Sequence, residues 1–256
     1  MVTAQSLPAA AAQALAPLVA GPVVDGQVIA VLGLATYLEC PRGLVALLAP
    51  GAVSVPVGLR PADGVLPALR VGDPVRIGDG QVRVRPDDRD SCLGWAVHRW
   101  WPSAVRPRAG RPGRSALDAL RDHLPALPAE VPAALPRGAA AVVGLGEGLT
   151  PLGDDVLAGL LVAWAAWPEV AAGRRDALVA EVVDALPRTT PISAELLRRA
   201  VDGHAATPVL AAVAAVAAGD PARIHSAATD LLAVGHTSGL GLAHGLLWGM
   251  SREGRA

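Results

Sequence analysis

The chain has 256 residues, 52% of them hydrophobic and 18% charged, which fits a folded globular protein and excludes a disordered one. Its 22 basic and 23 acidic residues leave a net charge of −1, so no basic footprint supports nucleic-acid binding. Lysine and phenylalanine are absent, as high-GC coding bias would produce, and without lysine there is no P-loop.

From the N-terminus, Met1 to Ala20 is alanine-rich but lacks the positive start of a secretion signal, and Pro8 and Pro17 interrupt it. It reads as a short amphipathic helix of a cytoplasmic protein. The first hundred residues otherwise read as β structure. Gly26 to Glu39 is a long apolar stretch closed by the turn Pro41-Arg42-Gly43, and Gly43 to Leu48 and Val53 to Leu59 continue it. The clearest hairpin is Val75-Arg76-Ile77, Gly78-Asp79-Gly80, Val82-Arg83-Val84-Arg85, where apolar and charged residues alternate with period two around a glycine turn. Short strands at this spacing predict a small barrel or sandwich. Cys40 and Cys92 have no metal-like spacing and read as reduced thiols.

Arg106 to Arg114 is rich in proline, glycine and arginine and reads as a solvated linker. Beyond it the period changes. Thr190-Pro191, Thr207-Pro208 and Asp220-Pro221 each set a capping side chain before a proline suited to the first helical turn. Helices follow at about Pro191 to Asp202, Pro208 to Ala218 and Pro221 to Val234, with further helical spacing at Ser115 to Leu124, Arg174 to Leu186 and Ser238 to Met250. The apolar helix Val156 to Trp167 stops at Pro168, far short of the roughly 20 residues of a membrane span, so it is a core helix. Ala139 to Val143 reads as a strand. The expected fold class is α+β: a β-rich barrel-like or sandwich-like domain over residues 1–105, a linker at 106–114, and a mostly helical domain over 115–256.

Chemistry concentrates in Gly144-Leu-Gly-Glu-Gly-Leu-Thr-Pro-Leu-Gly-Asp-Asp155, which leads into that core helix. Glycines let a ligand approach the backbone, and free amides at a helix start favour an anion. One of Asp154 and Asp155 could cap the helix. Alternatively the pair could hold Mg²⁺ or orient a substrate amide. The glycine spacing is not a dinucleotide fingerprint, and by pattern alone the segment serves equally as a structural turn or a ligand site. Arg188-Thr189-Thr190-Pro191-Ile192-Ser193 and Gly235-His236-Thr237-Ser238-Gly239 repeat the chemistry at two more helix starts. Each alone is an ordinary cap. Together they would offer amides, hydroxyls and Arg188 to one small anion, provided the fold brings them together.

Gly-Glu-Gly-Leu-Thr-Pro-Leu-Gly-Asp-Asp-Val-Leu-Ala-Gly, ending at Gly159, resembles the signature of the AllH family. Arg188-Thr189-Thr190 with Ser193 and Leu196 resembles its second block, and Gly235 to Gly239 its third. Leu152, Gly241 and His244 depart from the usual residues. The resemblance implies a subunit of an oxamate carbamoyltransferase of purine and allantoin breakdown, exchanging carbamoyl phosphate and oxamate with oxalurate and phosphate. It implies FdrA-like and AllG-like partner subunits; the charge balance and helix length argue against nucleic acid and membrane as partners, and a homo-oligomer is compatible with the sequence.

For such a reaction, Gly146, Glu147, Gly148, Leu149, Thr150 and Gly153 form the substrate loop. Arg188, Thr189, Thr190, Ser193, Thr237 and Ser238 add donors, and Asp154, Asp155 and His236 are the catalytic candidates. Asp154 and Asp155 are also the candidate Mg²⁺ ligands, and no other cofactor is implied. Two other readings stand beside this one: a non-catalytic scaffold subunit, and a stand-alone small-anion binding protein.

Overall fold

A computed structural model of the chain describes residues 6–85, 92–171 and 173–251. The chain forms two compact units, dividing between Ser103 and Ala104. Helices and strands are both abundant, as the α+β class requires.

The first unit is a closed eight-stranded barrel. Its strands are β1 (Ser6–Ala12), β2 (Val24–Val31), β3 (Ala35–Cys40), β4 (Gly43–Leu48), β5 (Gly58–Pro61), β6 (Pro74–Gly78), β7 (Gln81–Val84) and β8 (Leu93–Trp101), in the order β1-β5-β4-β3-β2-β6-β7-β8. A short helix, α1 (Ala16–Val19), follows β1. The β6–β7 hairpin pairs Val75 with Val84 and Ile77 with Val82, and its turn places Asp79 at φ +50°. Period-two alternation sends Val75, Ile77, Val82 and Val84 inward, where they pack with Leu38, Leu47, Leu59 and Trp95.

Two expectations change here. The alanine-rich N-terminal segment is a strand over Ser6–Ala12, not a helix; the first five residues lie outside the described ones. Ser6 to Ala12 runs parallel to β8, while Ala9 to Ala11 pair with β5, so this strand closes the barrel. Its ladder partners sit some ninety residues away in sequence, and that tertiary pairing overrides alanine's helix preference. The stretch Gly26 to Glu39 is two antiparallel strands rather than one, with a reversal at residues 32–34.

The second unit contains α2 (Arg114–Arg121), α3 (Glu130–Ala134), α4 (Leu152–Ala166), α5 (Pro168–Ala171), α6 (Arg175–Ala185), α7 (Pro191–Val201), α8 (Thr207–Ala218), α9 (Pro221–Leu232) and α10 (Ser238–Met250). Thr190 caps α7 by accepting from the Ser193 amide, and Asp220 caps α9 by accepting from Ala222 and Arg223. At α8 the boundary lies one residue earlier, with Ala206 at the cap and Thr207 inside. The expected strand at Ala139 to Val143 is a 3₁₀ turn over Ala139–Ala141 followed by a further turn. Among the described residues it has no strand to pair with. The proline-rich segment is tied to the helical unit: Arg108 donates to the Ala166 carbonyl, and Gly110 to Glu169. No helix among the described residues is long and apolar enough to cross a membrane.

Thirteen of the fifteen residues of α4 are buried, so it is the axis of this unit. Its principal neighbour is α10, and glycines set how closely the two approach. A β-carbon at Gly245 would lie 2.0 Å from the Val156 carbonyl oxygen, and one at Gly159 would lie 2.2 Å from that of Leu242. Side chains at these positions would force the helices apart, as overpacking of a dense core does. Gly245→Ala is therefore expected to destabilise the chain by roughly 1–3 kcal/mol in urea unfolding, despite alanine's better helix propensity. Gly33→Ala, where nothing lies within 4 Å, should stay within about 0.5 kcal/mol. Equal effects would refute the close seam.

Candidate functional site

The glycine-rich segment runs from buried Val143 to the first turn of α4. Gly144 has φ +77°, and a β-carbon there would lie 2.6 Å from the Arg188 carbonyl oxygen, so only glycine fits. Gly153 is equally confined, 2.2 Å from the Val142 carbonyl oxygen by the same measure. These contacts hold the two ends of the segment against the body of the unit. Between them, Gly146, Glu147, Gly148 and Leu149 are exposed and Thr150 is half-buried.

Asp154 gathers the first two segments. It is 1% exposed, and its Oδ1 accepts from the Gly144 amide at 2.7 Å. Its Oδ2 accepts from the Ser193 hydroxyl at 2.6 Å and from the Thr189 hydroxyl. The Thr190 hydroxyl donates to the Leu149 carbonyl, which adds a second tie between loop and α7. The third segment arrives through Ser238, whose Oγ lies 2.9 Å from that of Thr150. Gly144–Asp155, Arg188–Ser193 and Gly235–Gly239 thus meet in one cluster.

Asp154 is therefore a clamp rather than a helix cap or an open catalytic group. The residue before α4 is Pro151, which makes no side-chain cap. The first-turn amides are largely taken, because Gly153 donates to Leu145, and Asp154 and Asp155 donate to Pro151. The expectation of free amides at the helix start fails there. Free amides lie instead just upstream: among the described residues, those of Gly146, Glu147, Gly148, Leu149 and Thr150 have no acceptor.

Asp155 is the opposite of Asp154. It is 7% exposed, and its Oδ2 is buried without a partner. Burial pushes its carboxyl up to about 8; a hydrogen bond with Ser238 works the other way, and the charge of Asp154 adds to the rise. α10 makes room for this carboxyl, since a β-carbon at Gly241 would lie 2.8 Å from Asp155 Cβ. Together the two aspartates do not fit Mg²⁺. The ion needs a near-octahedral set of open oxygens, whereas both Asp154 oxygens already accept from the protein and Asp155 favours its neutral form. Among the described residues no group of three or more His, Cys, Asp and Glu side chains could hold a metal.

The remaining candidates divide. Arg188 is exposed and donates through Nη1 to the Ala140 carbonyl, beside the segment. Thr237 precedes α10, but its side chain caps nothing. His236 is exposed and makes no bond within the cluster. His244 sits apart, its Nε2 2.7 Å from the Pro125 carbonyl oxygen. Sequence reading noted Gly241 only as a departure from the family block and missed its packing against Asp155, for which its four-residue spacing to Gly245 and Gly249 was the available signal. A separate cavity of about 580 Å³, lined by Leu157, Trp164, Leu178 and Trp248 among others, includes no residue of the three segments.

Asp154→Ala leaves an amide and two hydroxyls without their acceptor. At about 1–3 kcal/mol for each unsatisfied buried group, urea unfolding should show a loss of at least about 3 kcal/mol, with Ser193→Ala alone costing less. Asp155 has a different signature. Its proton is held more tightly in the folded chain than at the ordinary value of 3.8. Ionising it therefore weakens the fold as pH rises from about 4 to about 8, by about 1.4 kcal/mol per pH unit, with no further loss above that range. The stability difference between wild type and Asp155→Asn should follow that slope; a flat difference would refute it.

The family model described as oxamate carbamoyltransferase subunit AllH matches residues 142–250, a span that takes in all three segments. No solved structure matches the chain. The clustered segments lie inside the matched span, and over that part the chain is similar to the AllH family.

Proposed function

We propose that the chain is a subunit of an oxamate carbamoyltransferase-like enzyme, and that its Gly146–Thr150 loop binds the anionic part of a substrate. The observation that carries this is the run of consecutive exposed amides without internal acceptors, on a loop fixed at both ends. Donors held in place before the ligand arrives stabilise developing negative charge without reorganising, which carbamoyl transfer needs at both phosphate and carboxylate. The family description supports the subunit role.

In this reading the amides of Gly146, Glu147, Gly148, Leu149 and Thr150 hold the phosphate of carbamoyl phosphate or the carboxylate of oxamate. Arg188, at the rim, adds a charged donor. Asp154, Thr189, Thr190, Ser193 and Gly153 set the shape of the loop, while Thr150, Ser238 and Asp155 line its inner side. His236 and Thr237 flank the start of α10. FdrA-like and AllG-like subunits would complete the enzyme, working in the cytoplasm in purine and allantoin catabolism.

The scaffold reading draws on one observation, that Asp154 is committed to holding the fold. Arg188→Ala separates the two. In the co-expressed complex, assayed with carbamoyl phosphate and oxamate, it should lower kcat/KM by roughly 100- to 1000-fold, the usual cost of about 2.7–4 kcal/mol for removing an oxyanion donor. Unchanged turnover would favour the scaffold. Phosphate or dicarboxylate binding by the isolated chain, with an inactive complex, would favour a stand-alone anion-binding protein.

A further inference from the structure

We propose that the cavity bordered by α4, α6 and α10 is a second binding site, shaped for a small amphipathic carboxylate. It includes no residue of the three clustered segments and does not depend on how they are read. Its volume of about 580 Å³ falls within the roughly 300–1,000 Å³ of small-molecule sites. Leu157, Leu160 and Trp164 from α4, Leu178 from α6, and Leu247 and Trp248 from α10 supply its apolar lining. Leu160 and Trp164 are buried and pack with Leu178 in a small cluster apart from the barrel core, so this wall is built in advance of any ligand.

The charges on the lining select the ligand's head. They are Arg121, Arg174 and Glu181. The Arg174 guanidinium stands 5.3 Å from the centroid of the Trp164 ring, so a cation directly borders the apolar wall. Its Nε and Nη2 donate to the Ala171 and Val170 carbonyls at 3.2 and 3.3 Å, which fix its position. Arg174, Ala177, Leu178 and Glu181 follow helical spacing along one face of α6, which sets Arg174 and Glu181 about 10 Å apart along the axis. Glu181 Oε2 accepts from the Ala139 amide at 2.9 Å, so the acidic end is tied to the cavity's own wall. Arg121 reaches the cavity from α2, where it pairs with Asp118. Two guanidiniums against one carboxylate favour a singly charged anionic head at the arginine end. The apolar walls take its body, whose length the interval to Glu181 limits. A polyphosphate does not suit these walls, because most of its charge would lie against hydrocarbon.

The test is NMR of the tryptophan indole signals in the full chain, titrated separately with octanoate, octan-1-ol and octylammonium. Octanoate should shift the Trp164 and Trp248 signals to saturation and bind at least about tenfold more tightly than the alcohol, with octylammonium weakest. Arg174→Gln should erase the preference for carboxylate over alcohol. Leu178→Trp, which fills the cavity, should weaken octanoate binding at least about tenfold, with urea unfolding used to check that each variant is folded. Should Leu178→Trp not fold, nuclear Overhauser contacts from the octanoate chain to both indoles of the wild-type protein locate the ligand instead. Indole signals that ignore octanoate, or contacts to other tryptophans, overturn the site. Equal binding of the alcohol and the carboxylate overturns the class of ligand.

Discussion

The Asp154 carboxylate is the constraint on which the helical unit's chemistry depends. It draws a loop amide, a residue of the Arg188 segment and the first turn of α7 onto one buried group. A carboxylate removed from water must be compensated almost completely, so these donors are fixed in position as well as attracted. Between Gly144 at one end and Asp154 at the other, Gly146 to Leu149 are exposed, and among the described residues the amides of Gly146 to Thr150 have no acceptor. A loop closed only by weak contacts would lose that arrangement to chain entropy.

The α4–α10 seam supplies the second constraint. Glycines on α10 and Gly159 on α4 let two apolar helices approach until backbone meets backbone, which fixes the start of α10 relative to the start of α4. Ser238 and Asp155 are brought together by that approach. Two neighbouring acids on one helix thereby receive opposite environments: Asp154 is surrounded by donors and Asp155 is left nearly bare.

Much of this was legible in the sequence where the cause was local. Thr190-Pro191 and Asp220-Pro221 marked true caps, and the Val75 to Arg85 alternation marked a true hairpin, because each rests on residues a few positions apart. The N-terminal strand was not legible. Its alanines carry little alternation, and its partners in β5 and β8 lie far along the chain. Ala139 to Val143 misled because a short apolar run suits strand or turn until its packing is known. The three clustered segments could be recognised by residue type, yet the difference between Asp154 and Asp155 could not. That difference is decided by Thr189 and Ser193, which reach Asp154 from a distant segment and leave Asp155 Oδ2 without a partner.

The central claim is that a fully compensated Asp154 holds a loop whose amides are free for an anion. A crystal of the chain grown from sulfate tests it most directly. The account requires an ordered sulfate on the Gly146–Thr150 amides while Asp154 keeps its bonds to Gly144, Thr189 and Ser193. Amides in that stretch already bonded to protein carbonyls, or an Asp154 carboxylate turned toward solvent, would contradict it.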